Sequence, residues 1–170
     1  EHLTDEVIDE AFSKLPKEIQ GETSKDISDK LKERRGNIVA ITEAYHKHLT
    51  KQVIITGTDK DDFFEITRGD KATTIAVSRI KGGKVKKPYK KRVVNASETN
   101  EIWIYGLDDD DEFLVNGSGK KPIFTRIIGG QNNDVYTIEN GKKIKVYDHK
   151  TKPNTIVKKG GASFRFNNIY

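Results

Sequence analysis

The chain has 170 residues, of which 34% are hydrophobic and 34% are charged, and its formal net charge is +5 at pH 7. It contains no cysteine, which excludes disulfides and thiolate metal sites, and no apolar run near the roughly 18 residues of a transmembrane helix. Because it begins at Glu1 without methionine or a signal-peptide pattern, we expect a piece excised or processed from a longer protein.

Residues 1–50 predict three short helices. A first helix is predicted after Thr4, whose side chain can act as its N-cap. A second begins at Ser24 and stops at Gly36, a residue that suits the C-terminal end of a helix, and Asn37 can cap a third. Each helix has a narrow apolar stripe, so we expect all three to pack on a β domain rather than stand alone.

Residues 51–170 predict a β domain with an internal repeat. Strand-like stretches align on Gly57, Gly106 and Gly129, and an inserted hairpin explains the longer first spacing. The apolar positions alternate with a period of two, as a strand with one buried face requires. The copies lie near residues 53–66, 102–115 and 125–138, with a weaker copy lacking Gly and Asp near 144–157. The aligned columns are Val53, Ile102 and Thr125; Ile55, Ile104 and Ile127; Asp62, Asp111 and Asp134; Phe64, Phe113 and Tyr136; Ile66, Val115 and Ile138.

Two arrangements of these strands fit the sequence. Matching columns and a spacing near 20 residues favour a solenoid, in which equivalent strands stack in parallel. Asn140 and Gly141 form the strongest hairpin signal in the chain and favour an antiparallel meander or a sandwich. We predict an α+β fold, in which the three-helix segment packs on a short β-solenoid-like domain, with the meander or sandwich as the alternative.

Five consecutive acids, residues 108–112, lie between two apolar strands of the second copy. Like charges this dense repel one another unless a cation lies nearby. One interpretation is a calcium site, because calcium takes six to eight oxygen ligands and stacked turns could supply them together. The interpretation that we favour is a solvated turn in which the aspartates accept hydrogen bonds from backbone amides. The predicted ligands are Asp108, Asp109, Asp111, Asp134 and Asp62, and no other cofactor is predicted.

The pattern G-G-x-N-x-D-x-Y at residues 129–136 resembles the calcium-binding nonapeptide of the repeats-in-toxin β-roll. That resemblance implies left-handed backbone at the position of its third glycine, which is Lys60, Asp109 or Asn132 here. Aspartate and asparagine tolerate this conformation, whereas lysine does so poorly. The match to the nonapeptide is thus degenerate in every copy.

A basic segment extends from Arg79 to Arg92, with eight lysines or arginines among its fourteen residues and one aromatic, Tyr89. Such a segment suggests contact with phosphate, and we predict anionic lipid as the partner. The lack of interleaved aromatic side chains argues against nucleic acid. The alternative is a soluble hairpin that protects the edge of a sheet.

No catalytic constellation emerges from the remaining residues. His46 and His48 would point about 200° apart on a helix and could not share a metal there. The sequence contains no Ser-His-Asp pattern, phosphate-binding loop or paired catalytic carboxylates. We therefore predict that this chain is not an enzyme by itself.

Five stretches together resemble a segment of a known family: KLKERRGNI, KQVIITGTDKDDFFEI, EIWIYGLDDDDEF, TRIIGGQNND and IKVYDHKTKPNTI. The segment is the one that follows the calcineurin-like metallophosphoesterase domain in large outer-membrane proteins of Gram-negative bacteria, ahead of a surface-antigen-type β-barrel. The resemblance implies a cell-envelope location, in the periplasm or at the cell surface, and partners in the neighbouring domains of one polypeptide.

The resemblance does not carry catalysis into this chain. The phosphoesterase motifs D-x-H, G-D and G-N-H-[DE] are reduced to Gly69-Asp70 and to Gly36-Asn37-Ile38, where the histidine is missing. We therefore predict a non-catalytic scaffold domain that connects the phosphoesterase-like domain to the barrel. The alternatives are a calcium-binding β-roll-like module and an accessory domain that completes a phosphoesterase active site.

Overall fold

A computed structural model describes residues 3–168, and the chain divides into two compact units, Glu1–His48 and Leu49–Tyr170. The first unit contains helix α1 (Asp5–Ser13), a 3-10 turn (Lys17–Ile19) and most of helix α2 (Glu22–Leu49). Thr4 caps α1 as predicted, because its Oγ1 accepts a hydrogen bond from the Val7 amide at 3.3 Å. Within residues 3–168, neither helix combines the length and the hydrophobicity of a membrane span.

Helix α2 is 28 residues long and passes through Gly36 without a break, so the predicted break between a second and a third helix is wrong. A glycine in a helix interior costs only about 1 kcal/mol relative to alanine, which does not end a helix that has no competing turn after it. The first part of α2 is held by ion pairs to α1: Arg35 to Asp5 at 2.7 Å and Lys32 to Asp9 at 2.5 Å.

The second unit contains two β-sheets. The five-stranded sheet has the order β1-β5-β7-β9-β11 and is parallel throughout; the six-stranded sheet has the order β10-β8-β6-β2-β3-β4. Among the strands of residues 3–168, only the β2–β3 and β3–β4 pairs are antiparallel. Apart from β3 and β4, successive strands alternate between the sheets. The strands are β1 (Gln52–Thr56), β2 (Asp62–Arg68), β3 (Ala72–Lys81), β4 (Lys84–Asn95), β5 (Glu101–Leu107), β6 (Glu112–Asn116), β7 (Phe124–Gly130), β8 (Val135–Ile138), β9 (Ile144–His149), β10 (Thr155–Lys158) and β11 (Ser163–Asn167).

The core lies between the two sheets and is built from rows of equivalent side chains. In the five-stranded sheet, Ile55 pairs with Ile104 and Ile104 with Ile127. In the six-stranded sheet, the rings of Phe64, Phe113 and Tyr136 stack with centroids 4.7 and 5.2 Å apart. Each row corresponds to one column of the alignment on Gly57, Gly106 and Gly129. Every residue in these rows is fully buried or nearly so, which explains the period-two pattern of the strands.

The predicted fold class is wrong as a whole. Residues 3–168 contain two α-helices and eleven strands in two large sheets, one parallel and one mixed, instead of three helices on a short solenoid-like, meander or sandwich domain. The hairpin expected at Asn140 and Gly141 is also absent, since these residues connect β8 to β9, which belong to different sheets. The Gly141 amide donates to the Gly160 carbonyl at 2.7 Å. Neither Asn140 nor Gly141 has the positive φ of a tight hairpin turn.

Candidate functional site at the acidic turns

The turns that lead from the five-stranded to the six-stranded sheet bring three predicted ligands into one buried row. Asp62, Asp111 and Asp134 have at most 1% of their surface exposed. The Asp62 amide donates to Oδ1 of Asp111 at 2.8 Å, and the Asp111 amide donates to Oδ1 of Asp134 at 2.9 Å. The Asp134 amide donates in turn to Oδ1 of Asn154 at 2.9 Å. We call these four residues the inner ladder.

A second series of contacts runs along the exposed side of the same turns. The Asp110 amide donates to Oδ1 of Asp61 at 3.4 Å, and the Asn133 amide donates to Oδ1 of Asp110 at 3.1 Å. Oδ1 of Asp108 accepts a hydrogen bond from the Asn132 side chain at 3.0 Å. Most carboxylates of the acidic run therefore accept hydrogen bonds within or between adjacent turns.

The other two predicted ligands, Asp108 and Asp109, lie in the exposed part of the turn. Asp109 is 3.9 Å from the Lys60 ammonium and has φ 68°. The left-handed backbone predicted for this position is confirmed at Asp109 and at Asn132, where φ is 77°, but Lys60 does not adopt it. The side chains of Asp108 and Asp109 thus lie outside the inner ladder.

The aligned glycines make room for the inner ladder. A Cβ atom on Gly106 would lie 2.2 Å from Oδ2 of Asp111 and 2.4 Å from the Gly129 carbonyl oxygen. A Cβ atom on Gly129 would lie 2.3 Å from Oδ2 of Asp134. Because real side chains do not approach this closely, the buried aspartate leaves room only for glycine at these turns.

Asp148 was missed as a site residue. The strand register places it in the column of Gly57, Gly106 and Gly129, since Tyr147 pairs with Ile128. Its Oδ2 accepts a hydrogen bond from the Tyr136 hydroxyl at 2.6 Å, and its Oδ1 accepts the His149 amide at 2.7 Å. An acid in a glycine column was the signal that could have identified it.

Asn154 was missed for a different reason. It fills the aspartate column, because Thr155 pairs with Val135, but it lies six residues after Asp148, whereas Asp62, Asp111 and Asp134 lie five after their glycines. An alignment without gaps therefore passes over it.

Burial raises the pKa of the carboxyl groups of Asp111, Asp134 and Asp148. Burial first, and the nearby charges of Asp134 and Asp62 second, raise the pKa of Asp111 to about 9. Burial and the adjacent Asp148 raise the pKa of Asp134 to about 8. Burial also raises the pKa of Asp148, while the hydrogen bonds that it accepts act against this. In both Asp111 and Asp134, Oδ1 accepts a backbone amide and Oδ2 has no hydrogen-bond partner.

Asp62, at the start of the row, has a cationic partner instead. Its Oδ1 lies 3.5 Å from the guanidinium of Arg79, and its Oδ2 accepts hydrogen bonds from the Thr58 amide and hydroxyl at 2.8 and 2.9 Å. Among residues 3–168, no three histidine, aspartate or glutamate side chains form a group that could hold a metal ion. Calcium binding by the five aspartates stays a prediction.

The outer face of the five-stranded sheet carries a cluster that the sequence did not indicate. The Arg126 guanidinium lies 5.4 Å from the Trp103 ring centroid and 5.1 Å from that of Phe124. Its Nη1 donates to the Tyr147 hydroxyl at 3.0 Å, and its Nε pairs with Glu101. The parallel register brings these residues together, because Trp103 pairs directly with Arg126 and Glu101 with Phe124. Tyr147 lies two residues beyond Lys145, which is the partner of Arg126 on β9.

Comparison with protein-family models, with curated proteins and with solved structures found no match to this chain.

Proposed function

We propose that the chain is a non-catalytic scaffold domain of a larger cell-envelope protein and that it connects neighbouring domains of the same polypeptide. The family resemblance suggests a metallophosphoesterase-like domain before it and a membrane barrel after it, in the periplasm or at the cell surface. The observation that carries the proposal is the inner ladder. The side chains of Asp111, Asp134 and Asn154 accept hydrogen bonds from backbone amides of the adjacent turn, and these bonds hold successive strands in register.

The order of the strands also supports a connecting role. Strands β1 and β11 lie at opposite edges of the five-stranded sheet. Neighbouring strands are about 4.8 Å apart, so these edges are separated by about 19 Å. A polypeptide that enters at one edge and leaves at the other is held at a defined separation by the hydrogen-bonded sheet between them.

Two introduced spin labels test this spacing. Ile54 and Ser163 are exposed and occupy one row across all five strands. The chain has no cysteine, so Ile54→Cys with Ser163→Cys creates the only two labelling sites. Electron–electron distance measurement should give one narrow distribution near the strand-spacing estimate of about 19 Å plus the label arms. A broad distribution would contradict a rigid spacer.

An activity assay tests the non-catalytic part of the proposal. The purified chain with p-nitrophenyl phosphate and Mn²⁺ should show no turnover above buffer. Turnover that survives repurification, and that is absent from a heat-denatured sample, would overturn it and favour the accessory-domain alternative.

Calcium binding is the second candidate, and the buried Oδ2 atoms of Asp111 and Asp134 motivate it because neither has a hydrogen-bond partner. If calcium binds there, it must displace the protons that the raised pKa values favour, so affinity should increase with pH. Calorimetry with CaCl₂ should then show heat that Asp111→Asn abolishes. The absence of heat and of a melting shift at millimolar calcium would remove this candidate.

A further inference from the structure

Strand β4 presents a row of cations along the free edge of the six-stranded sheet. It is the outermost strand in that sheet, and only Val94 among its twelve residues is buried. Its pairing with β3 ends in a two-residue turn, Gly82 and Gly83, with φ of +59° and +65°. We call the exposed cations of this hairpin the basic edge: Lys81, Lys84, Lys86, Lys87, Lys91 and Arg92.

The charges of the basic edge are not neutralised within the part of the chain that the structure describes. Ion pairs are formed there by other residues, and none of the six has a carboxylate within 4.0 Å. By contrast, Arg79 faces Asp62, and Lys90 donates to the Thr56 carbonyl at 2.8 Å. Six adjacent cations without counterions form a strongly positive surface, which attracts polyanions.

Apolar side chains are exposed between these cations. Val85 is 48% exposed, Tyr89 is 47% exposed and Val93 is 59% exposed. Aliphatic side chains and a tyrosine next to lysines suit the boundary between lipid headgroups and acyl chains. Single-stranded nucleic acid would instead require several aromatic rings for stacking, and this edge has one.

The hairpin is fixed at its base, so the cations are held in place rather than spread over a mobile loop. Val94, together with Ile75 and Val77 of β3, belongs to the main core. The Arg79 guanidinium lies 5.9 Å from the centroid of the Tyr89 ring. A fixed row of cations loses less conformational freedom on binding than a flexible one.

We propose that the basic edge binds the anionic headgroups of a lipid surface. Attraction to a negatively charged leaflet grows with each lysine or arginine near the membrane and decreases with salt. Lysines and Pro88 in an edge strand also prevent pairing with another sheet, but that role needs neither the exposed valines nor so many unpaired cations.

Co-sedimentation with vesicles tests the proposal. The chain should bind vesicles of phosphatidylcholine mixed with phosphatidylglycerol at least about tenfold more tightly than vesicles of phosphatidylcholine alone, and high salt should weaken this binding. Lys86→Glu with Lys87→Glu should lower binding by about tenfold or more. Lys150→Glu with Lys152→Glu is the matched control, because it makes the same charge change at two exposed lysines outside the hairpin.

Three results would overturn the proposal: no preference for anionic vesicles, equal loss in the two double variants, or tighter binding to labelled duplex DNA than to vesicles. Circular dichroism checks the fold of each variant, and Lys86→Gln with Lys87→Gln replaces the glutamate pair if that pair unfolds. The spacer role can fail or hold independently, since it is measured by the distance between Ile54 and Ser163.

Discussion

Asp111 and Asp134 are carboxylic acids in surroundings that favour the neutral form. Water is excluded from both, and each faces other carboxyl groups, so ionisation in the folded protein is unfavourable. In the unfolded chain these groups ionise near pH 3.9. The folded protein therefore binds more protons than the unfolded chain between about pH 4 and the raised pKa values.

The free energy of unfolding should consequently fall as pH rises from about 5 towards 9. A group with a raised pKa stabilises the fold fully below its unfolded pKa and loses that effect as pH approaches the folded value. Each of the two carboxyls contributes a slope of up to about 1.4 kcal/mol per pH unit. Urea unfolding across this pH range measures how the free energy of unfolding changes with pH. Asp148 adds to the decrease, because its pKa is also raised.

Asp111→Asn supplies the control for that measurement. Its amide oxygen can still accept the Asp62 amide, but the side chain no longer titrates, so the slope should decrease and stability at alkaline pH should increase. Stability that rises with pH in the unaltered chain would contradict a neutral Asp111.

The grouping of Asp62, Asp111 and Asp134 could be predicted from sequence because strand pairing turns equal spacing into proximity. Backbone amides as donors to these carboxyls were one of the two interpretations of the sequence, but the burial of Asp111 and Asp134 was not part of it, because it treated the turn as solvated. Asn154 escaped detection because one extra residue in its turn shifts the column, and Asp148 because an acid replaced the expected glycine.

Among the elements, helix α2 and the acidic turns use glycine in opposite ways. A Cβ atom on Gly36 would meet nothing within 4 Å, whereas one on Gly106 would lie 2.4 Å from a backbone oxygen. Gly36→Ala should therefore stabilise the helix by about 0.5–1 kcal/mol. Gly106→Ala should destabilise the β unit by roughly 3 kcal/mol. Thermal melting measures both, and equal effects of the two substitutions would contradict this assignment.

Arg68, at the end of β2, ties several turns together on the side opposite the acids. Only 1% of it is exposed, and its guanidinium donates to the carbonyls of Asn140, Ile123 and Lys142 at 2.8, 3.2 and 2.7 Å. Burial lowers the pKa of Arg68 to about 10, because desolvation disfavours its charged form.

Replacing this arginine should be costly. Arg68→Met keeps much of the side-chain volume but leaves three carbonyls without their donor, so it should lower the free energy of unfolding by roughly 3 kcal/mol. Denaturant unfolding measures the loss, with Arg165→Met on an exposed site of β11 as the control. Loss of equal size in both variants would show that the carbonyl contacts contribute little.

The elements could be predicted only in part from the sequence. Alternating strands stand out because burial repeats every second residue, as at Ile102 and Ile104. The helix break predicted at Gly36 and Asn37 was wrong, because local capping preferences are weak compared with the continuity of a long helix. Asn140 and Gly141 led to a wrong prediction because a hairpin signal does not reveal which sheet each flanking strand joins.

For the whole molecule, the main hydrophobic core lies entirely within the second unit, from Val53 to Ala162. A fragment of residues 49–170 should therefore fold by itself and melt cooperatively. Circular dichroism and thermal melting of the fragment check this. A fragment that stays unfolded would show that this core is not sufficient. Composition and periodicity predict a helical segment of residues 1–50 and a β domain of residues 51–170, but they do not reveal the sheet order, which depends on long-range pairing.

The inserted β3–β4 hairpin has a consequence for the order in which the protein folds. Ile55 and Ile104 are paired across 49 residues, whereas the later pairs Ile104–Ile127, Ile127–Val146 and Val146–Phe164 span 23, 19 and 18. Closing a loop twice as long costs about 0.6 kcal/mol more, and it must be closed before the paired strands stabilise anything. We expect β5 to β11 to form the nucleus and β1 to dock late, so mutations at Ile127 should slow folding while mutations at Ile55 should mainly speed unfolding.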